Sequence, residues 1–273
     1  MLSRIKREGQ KVFLKDSNGS FKNLNGVQDV SLGYQSTISS FSVLGTKNTY
    51  FSPTSPQTAT LNINSLLFYN DVFYDKIFLT EGFSGKIEYK KNGVVFEDAH
   101  LVSYSSSCSI GEIPSISMQA DIYGSLTKSG VKENVTEEEN ETFKVAGYNS
   151  ISLQLDSIFE TNRVQSYSFS AAAKRKPLYS FNSKSPEEVV LDTPVEASAS
   201  FSIEVDDYEI ETMHNMDKNS IFQNLIITLK ENSSDAFIQR FNITNVIIES
   251  ENYASSIDSS VSLNLSVKGF MAS

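Results

Sequence analysis

The chain has 273 residues, a net charge of −10 and one cysteine, which suits one large or two modest domains and excludes a disulfide framework or a cysteine-rich metal site. The acidic excess argues against a sequence-reading DNA-binding protein, because such a protein needs a basic face to offset phosphate charge. No run of 18 apolar residues occurs and the first residues lack an apolar segment, so neither a membrane span nor a cleaved secretory signal is expected.

The first quarter of the chain predicts a polar arm followed by short strands. Residues 1–25 contain a single strand-like piece and are expected to form a terminal arm. Strands are predicted over 27–33, 38–43 and 58–67. Glycine and two prolines predict a loop over residues 44–56.

The next segment contains the strongest turn signal of the chain. Residues 66–79 fit a short helix or two strands about Asn70-Asp71, and periodicity does not decide between them. Asn92-Gly93 predicts a hairpin between residues 85–91 and 94–105. Residues 116–122 alternate apolar and polar side chains, as expected for a half-buried strand.

A charged stretch separates the two halves of the chain. Residues 127–146 are rich in lysine and glutamate and are predicted to form a linker. The carboxylates of Glu137–Glu139 lack the Asp, Asn and Gly spacing of a calcium loop, which favours a solvated charge run.

The second half repeats the pattern of the first with longer connections. Residues 96–124 match 241–269 at a constant offset of 145. Earlier matches have smaller offsets, and the offset changes only between strands, as loop insertions in a duplicated domain would produce; a loose similarity between serine-rich strands is the alternative. These matches pair Phe83 with Phe222, residues 59–63 with 199–203, 38–43 with 164–169, and 30–32 with 151–153.

The repeat predicts the fold class and the domain organisation. We expect an all-β chain of two tandem antiparallel β-sandwich or barrel units with little helix. The predicted units are residues 1–126, which include the arm, and residues 147–273, joined by the linker at 127–146.

The residue types that carry chemistry are sparse and scattered. His100 and His214 have no second histidine or cysteine at metal-ligand spacing. The acidic pair Asp206-Asp207 and the Glu137–Glu139 run could serve as glycosidase carboxylates, but that chemistry needs aromatic platforms and the chain has no tryptophan. We therefore expect no enzymatic activity, no metal and no cofactor, and we expect Cys108 to be either a small buried residue or an unreactive loop thiol.

The interval between Phe169 and Ala199 is 14 residues longer than that between Val43 and Ala59 (30 minus 16). Long connections of this kind are usually functional, and apolar rings among polar and proline neighbours suggest a contact with another subunit. We predict an extended hairpin that lies on a neighbouring chain. Its predicted interface residues are Lys174, Arg175, Lys176, Pro177, Tyr179 and Phe181.

Several of these segments resemble the tail-tube-like family of bacteriophage virion proteins, whose β-sandwich or barrel units join edge to edge into rings. The similar features are residues 28–32, the strand at 164–168, the hairpin at 174–177, and an end just past the last strand at 270–273. Units of that family usually carry a flanking helix, and the weak helix signal here departs from it.

The resemblance implies a structural virion protein of a phage tail, made in the host cytoplasm. It would form a homotrimeric, pseudo-hexameric ring or stacked tube that conducts DNA or joins tail parts. The implied partners are further copies of the chain, neighbouring tail proteins of the tube, sheath, baseplate or neck, and DNA that passes through the lumen without sequence-specific binding. The alternative function is a receptor-binding or adhesive β-sandwich module of a virion or cell surface.

Overall fold

A computed structural model describes residues 10–53, 58–68, 71–89, 92–130, 135–136, 146–181, 183, 185–215, 220–231, 237–255 and 260–272. Strands make up 67% of the chain and helix 4%. The strands lie in large, mostly antiparallel sheets, which confirms the predicted all-β fold. Units of tail-tube type stay a prediction.

The first half of the chain contains eleven described strands and one 3₁₀ turn, Asp75–Ile77, between β6 and β7. Alternation of side chains explains why these segments are strands: in β9, for example, every second residue is buried and the others face outward. The strands are β1 Gln10–Lys15, β2 Phe21–Asn23, β3 Val27–Gln35, β4 Ile38–Ser42, β5 Thr49–Pro53, β6 Thr58–Leu66, β7 Phe83–Tyr89, β8 Asn92–Ser109, β9 Ser115–Ile122, β10 Leu126–Gly130 and β11 Val135–Thr136.

The second half contains nine described strands and one α-helix, α1 Asp207–Asn215, between β17 and β18. The strands are β12 Ala146–Leu155, β13 Phe159–Thr161, β14 Val164–Ala172, β15 Arg175–Leu178, β16 Glu188–Leu191, β17 Glu196–Glu204, β18 Phe222–Glu231, β19 Phe237–Ala254 and β20 Ser262–Met271.

The two halves contain the same strand order. In the first, hydrogen-bonded neighbours run β3-β6-β9-β8-β7-β1-β2, which we call the first array; in the second they run β14-β17-β20-β19-β18-β12-β13, the second array. Each array also carries a separate two-stranded hairpin in the same interval, β4–β5 and β15–β16. The strands predicted to correspond, at 116–122 and 261–267, are β9 and β20 and occupy equivalent positions.

The structure corrects the register of this repeat. Asp98 and Asn245 are both non-glycine residues with positive φ, 58° and 51°, and each directly precedes the last residue that pairs with β7 or β18. Their separation is 147 residues (245 minus 98), and the pairing of β8 with β9 and of β19 with β20 follows the same offset. The sequence match at 145 is therefore displaced by two residues. A two-residue slip leaves every side chain on its original face, so the hydrophobic pattern does not reveal it.

Two of the earlier matches are wrong, and a third, of residues 59–63 with 199–203, is displaced by two residues, because Leu61 corresponds to Ala199. The counterpart of β3 is β14, at an offset of 137, and both strands have a bulge at the same place, 27/29 and 164/166. The counterpart of β12 is β1, since each lies between the long hairpin and a short outer strand. Residues 38–43 thus do not correspond to 164–169, nor residues 30–32 to 151–153.

The predicted hairpin is confirmed, but its turn, the predicted loop and the predicted linker differ from the structure. β7 and β8 pair as the predicted hairpin, but Asn92 and Gly93 lie within β8 opposite Tyr89 and Glu88. A Cβ on Gly93 would lie 2.7 Å from the carbonyl oxygen of Ile87, so close backbone approach explains this glycine. The predicted loop at 44–56 contains β5, and the predicted linker contains β11 and all of β10 except its first residue. Glu137–Glu139 lies outside the described residues, and the unit boundaries stay a prediction.

One buried apolar cluster runs through both arrays. It includes Leu61 and Leu101 of the first array and Phe201 and Leu265 of the second, all at most 4% exposed. The two arrays therefore share a core instead of folding around separate ones.

Candidate functional surface

The two arrays are joined by direct strand pairing. Residues 103–109 of β8 pair with β14, from Ser103 with Ala172 to Ser109 with Ser166. The first part of β8 pairs with β7 on this edge, so about half of β8 extends past β7, while residues up to Ser107 still pair with β9 on the other edge. The Ser106 hydroxyl lies 2.9 Å from that of Tyr167 and hydrogen bonds with it across the junction. One continuous sheet results.

An aromatic cluster lies beneath this junction. Phe169 of β14 stacks on Phe241 of β19, with ring centroids 4.8 Å apart. Tyr74, which precedes the 3₁₀ turn, meets Phe241 edge-on at 5.3 Å, and its hydroxyl accepts a 3.2 Å hydrogen bond from the Asn242 amide. Rings from both arrays thus fix how the arrays meet.

The β15–β16 hairpin lies on the first array of its own chain. The guanidinium of Arg175 donates to the carbonyl oxygens of Leu101, Leu79 and Ile77, at 3.1, 2.7 and 2.8 Å. Burial lowers the Arg175 pKa, yet the group remains charged. The prediction placed this hairpin on a neighbouring chain, but Arg175 is used inside the chain.

The other predicted interface residues lie around the hairpin. Lys174 forms an exposed ion pair with Glu196 at 2.7 Å. Lys176 is exposed and Pro177 half-buried, while Tyr179 is 39% exposed and Phe181 fully exposed. The role of these five residues in a contact between subunits stays a prediction.

The corresponding hairpin of the first array, β4–β5, carries a large apolar surface. Ile38 is 60% exposed, Phe51 73% and Leu44 fully exposed, and Phe41 stacks on Tyr50 at 5.8 Å. An exposed apolar patch of this kind marks a contact site. The strand predicted at 38–43 is β4, but its partner β5 lies where the sequence predicted a loop, so the hairpin was missed.

The outward face of the continuous sheet is lined by small uncharged polar side chains. Ser170 bonds Ser198 at 2.8 Å, and Asn62 donates to Ser31 at 3.2 Å, each across neighbouring strands. A depression of about 640 Å³ on this face spans both arrays. The outward residues include Ser103, Ser105 and Ser107 of β8, Ser166, Ser168 and Ser170 of β14, and Ser198, Ser200 and Ser202 of β17. Serine at alternate positions was the signal in the sequence.

Charged side chains are few on this face. In β3, β6, β9, β14, β17, β20 and residues 103–109 of β8, the outward positions carry Asp29, Asp121, Glu196, Glu204 and Lys268, four acids and one base. Glu204 accepts a hydrogen bond from Gln165 at 3.1 Å, and Lys268 forms an ion pair with Glu249. The face is polar and close to neutral, with a slight acidic excess.

Among the residues that the structure describes, the titratable groups do not converge on a catalytic arrangement. The His100 Nε2 lies 2.8 Å from a carboxylate oxygen of Asp98, and burial lowers the His100 pKa. Cys108 is buried within β8, which decides for the first of the two expected alternatives, and burial raises its pKa to about 11. Among the described residues, no group of three or more His, Cys, Asp or Glu could hold a metal ion. The absence of enzymatic activity stays a prediction.

Asp206, considered above as a catalytic carboxylate, caps a helix. Its Oδ1 accepts from the Glu209 amide at 3.0 Å, while a Glu209 carboxylate oxygen accepts from the Asp206 amide at 3.1 Å. This reciprocal pair is a capping box at the start of α1. The Asp-x-x-Glu spacing was the signal for this helix, which the sequence analysis did not place.

No protein-family model matches the chain, and no curated protein matches it significantly. In the part of the chain that the structure describes, no helix is both long enough and apolar enough to span a membrane.

Proposed function

We propose that this protein is a structural component of a bacteriophage tail, in which three copies form a pseudo-hexameric ring or a stack of such rings. One observation carries the proposal: two arrays of identical strand order are joined edge to edge in one sheet. A chain built in this way holds one head-to-tail contact inside itself. Further copies added by the same kind of contact extend the sheet, and such contacts close into rings when the rotation is right.

The outward polar face supports a role as a conduit. Serine, asparagine and threonine offer hydrogen bonds but no fixed positive charge, and the slight acidic excess repels phosphate weakly. DNA could therefore slide past this face without being held. In the proposed ring the face lines the lumen, and the remaining surfaces contact neighbouring tail proteins in the virion.

Electron microscopy of the purified protein tests the proposal. We expect rings with six similar lobes and a mass of about 90.9 kDa in solution, three times the 30.3 kDa of one chain. Light scattering after size-exclusion chromatography measures that mass. A protein that stays monomeric at high concentration, or a ring whose lumen is lined by lysine and arginine, would contradict the proposed function.

A further inference from the structure

We infer that the contact between copies repeats the junction inside the chain: the outer edge of β3 in one copy pairs with residues 250–254 of β19 in a second copy. The inference rests on the proposed ring and names the edges that join it. The two edges are not the same surface, so each copy offers one of each.

The strand order identifies both edges. β14 and β3 are equivalent, and β14 pairs with β17 on one side and with β8 on the other. β3 pairs with β6, and no described strand covers its other side. Likewise β18 covers β19 only as far as Val246, and no described strand covers this edge from residue 247 to 254. The two uncovered edges are the counterparts of the two that meet inside the chain.

The internal junction also sets the register. Paired residues of β14 and β8 have numbers that sum to 275, as in Phe169 with Ser106. Subtracting 137 for β3 and adding 147 for β19 gives a sum of 285 between copies. The expected pairs are Ser31 with Ala254, Leu32 with Tyr253, Gly33 with Asn252, Tyr34 with Glu251, and Gln35 with Ser250.

The side chains at these positions suit the contact. Tyr34 shares the core-facing side of β3 with Val30 and Leu32, which pack against the core, yet Tyr34 is 70% exposed. Its counterpart, Ala171, is 4% exposed because β8 covers it. In the inferred contact Tyr34 lies opposite Glu251, whose carboxylate interacts with the Tyr253 hydroxyl of its own chain and can accept a further hydrogen bond from a phenol. On the opposite side the pairs are Ser31 with Ala254, Gly33 with Asn252 and Gln35 with Ser250, all uncharged, where the internal junction pairs serine with serine.

The apolar β4–β5 hairpin fits the same arrangement. Ile38 holds the position of Arg175 (38 plus 137), and the β15–β16 hairpin lies on the segment between the 3₁₀ turn and β7. The corresponding segment of the second array lies between α1 and β18, where Ile221 is 63% exposed. Inside the chain this hairpin contact is polar, whereas the equivalent contact between copies is apolar. The contact between copies covers Ile38 and Ile221, which are exposed in the single chain.

A disulfide between copies tests the register. The double variant Gly33→Cys, Asn252→Cys places one thiol on each edge at opposed positions, and directly opposed residues of antiparallel strands lie within disulfide range. A Cβ at Gly33 meets nothing within 4 Å, so the change is tolerated in the single chain. Buried Cys108 does not compete, because its raised pKa keeps the thiol protonated.

We expect oxidation of this variant to give a covalent ladder on a non-reducing gel that ends at three chains. The matched control, Gly33→Cys with Ser250→Cys, moves one thiol by two residues along the same face and should link at least tenfold less. A ladder that ends supports both the contact and the ring. A ladder that continues beyond three chains supports the contact and overturns the ring. Rings seen by microscopy without this disulfide overturn the contact and leave the ring intact, and unlinked monomers overturn both.

A charge exchange gives a second test without cysteine chemistry. Tyr34→Glu places two carboxylates opposite each other and should abolish assembly, while Tyr34→Glu with Glu251→Lys should restore it. Phe237→Glu is the matched control, since Phe237 is an exposed aromatic residue on the β18-covered part of β19. Assembly of the Tyr34→Glu variant at the level of this control would overturn the inference.

Discussion

Asp71 is a buried carboxyl group next to the 3₁₀ turn. Its Oδ2 has no exposed surface, and its Oδ1 accepts a 2.9 Å hydrogen bond from the Phe73 amide. Burial raises the Asp71 pKa to about 6, and the nearby carboxylate of Asp75 adds to the rise. The Tyr104 hydroxyl and the Phe73 and Tyr74 amides oppose it. The ionised form is therefore costly in the folded chain.

This cost predicts the pH dependence of an Asp71→Asn variant. The pKa of Asp71 in the folded protein lies above the ordinary 3.8. The free energy of unfolding of the wild-type protein therefore falls as the pH rises from about 4 to about 6. The variant should match wild type near pH 4 and exceed it above pH 7 by up to roughly 3 kcal/mol, at ~1.36 kcal/mol per pKa unit. Urea unfolding at both pH values measures this. The control Asp192→Asn, an exposed residue, should show no such difference, and a pH-independent effect at Asp71 would refute the account.

The two hairpins are equivalent elements with different surroundings. β15–β16 is held on its own chain by Arg175 and by buried Val189, whereas β4–β5 presents apolar side chains to solvent. The difference follows from their positions, because only the second array has another array beside its first strand within the same chain. One hairpin therefore stabilises the monomer, and the other is available to a second copy.

Exchange of either hairpin for a two-residue turn separates these roles. Gln35 pairs with Thr58 and Ala172 with Glu196, so an Asn-Gly turn can close each strand pair directly. Replacing residues 36–57 should leave the melting temperature within a few degrees and abolish assembly. Replacing residues 173–195 should destabilise the monomer by at least about 3 kcal/mol, through lost hydrogen bonds and apolar burial. Calorimetry and light scattering measure the two effects, and an exchange of these outcomes would contradict the assignment.

At the scale of the whole molecule, the arrays form one cooperative unit. β8 and β14 pair over seven residues, and Phe241 is fully buried between rings of both arrays. We expect a single calorimetric transition and no folded intermediate that contains one array alone.

The variant Phe241→Ala tests this coupling. It should cost about 3–5 kcal/mol, the usual range for a buried phenylalanine, and should speed hydrogen exchange equally in β9 and β12. Phe237→Ala, on the same strand but 55% exposed, should cost less than about 1 kcal/mol. Two separate transitions, or faster exchange in the second array alone, would show that the arrays are independent.

The sequence by itself determined the elements that depend on local pattern. Alternation in β9 and β20 fixed these segments as strands and identified their buried faces, and the matched order of segments indicated a repeat. The low helix content followed from the same alternation. The strands and their buried faces depend on neighbours a few residues apart, which is the range over which side-chain alternation carries information.

Only the tertiary structure decided which strands meet and in what register. A slip of two residues preserves the face of every side chain, so the repeat matched at 145 as readily as at the observed 147. Arg175 binds the carbonyl groups of residues 74 to 98 positions earlier in the chain. This contact and the pairing of β8 with β14 depend on backbone groups that are alike in every residue. Either edge of a strand can form backbone hydrogen bonds with any other strand, so these bonds do not specify the partner. The packing of the rings of Tyr74, Phe169 and Phe241, which are distant in the sequence, selects the partner strand.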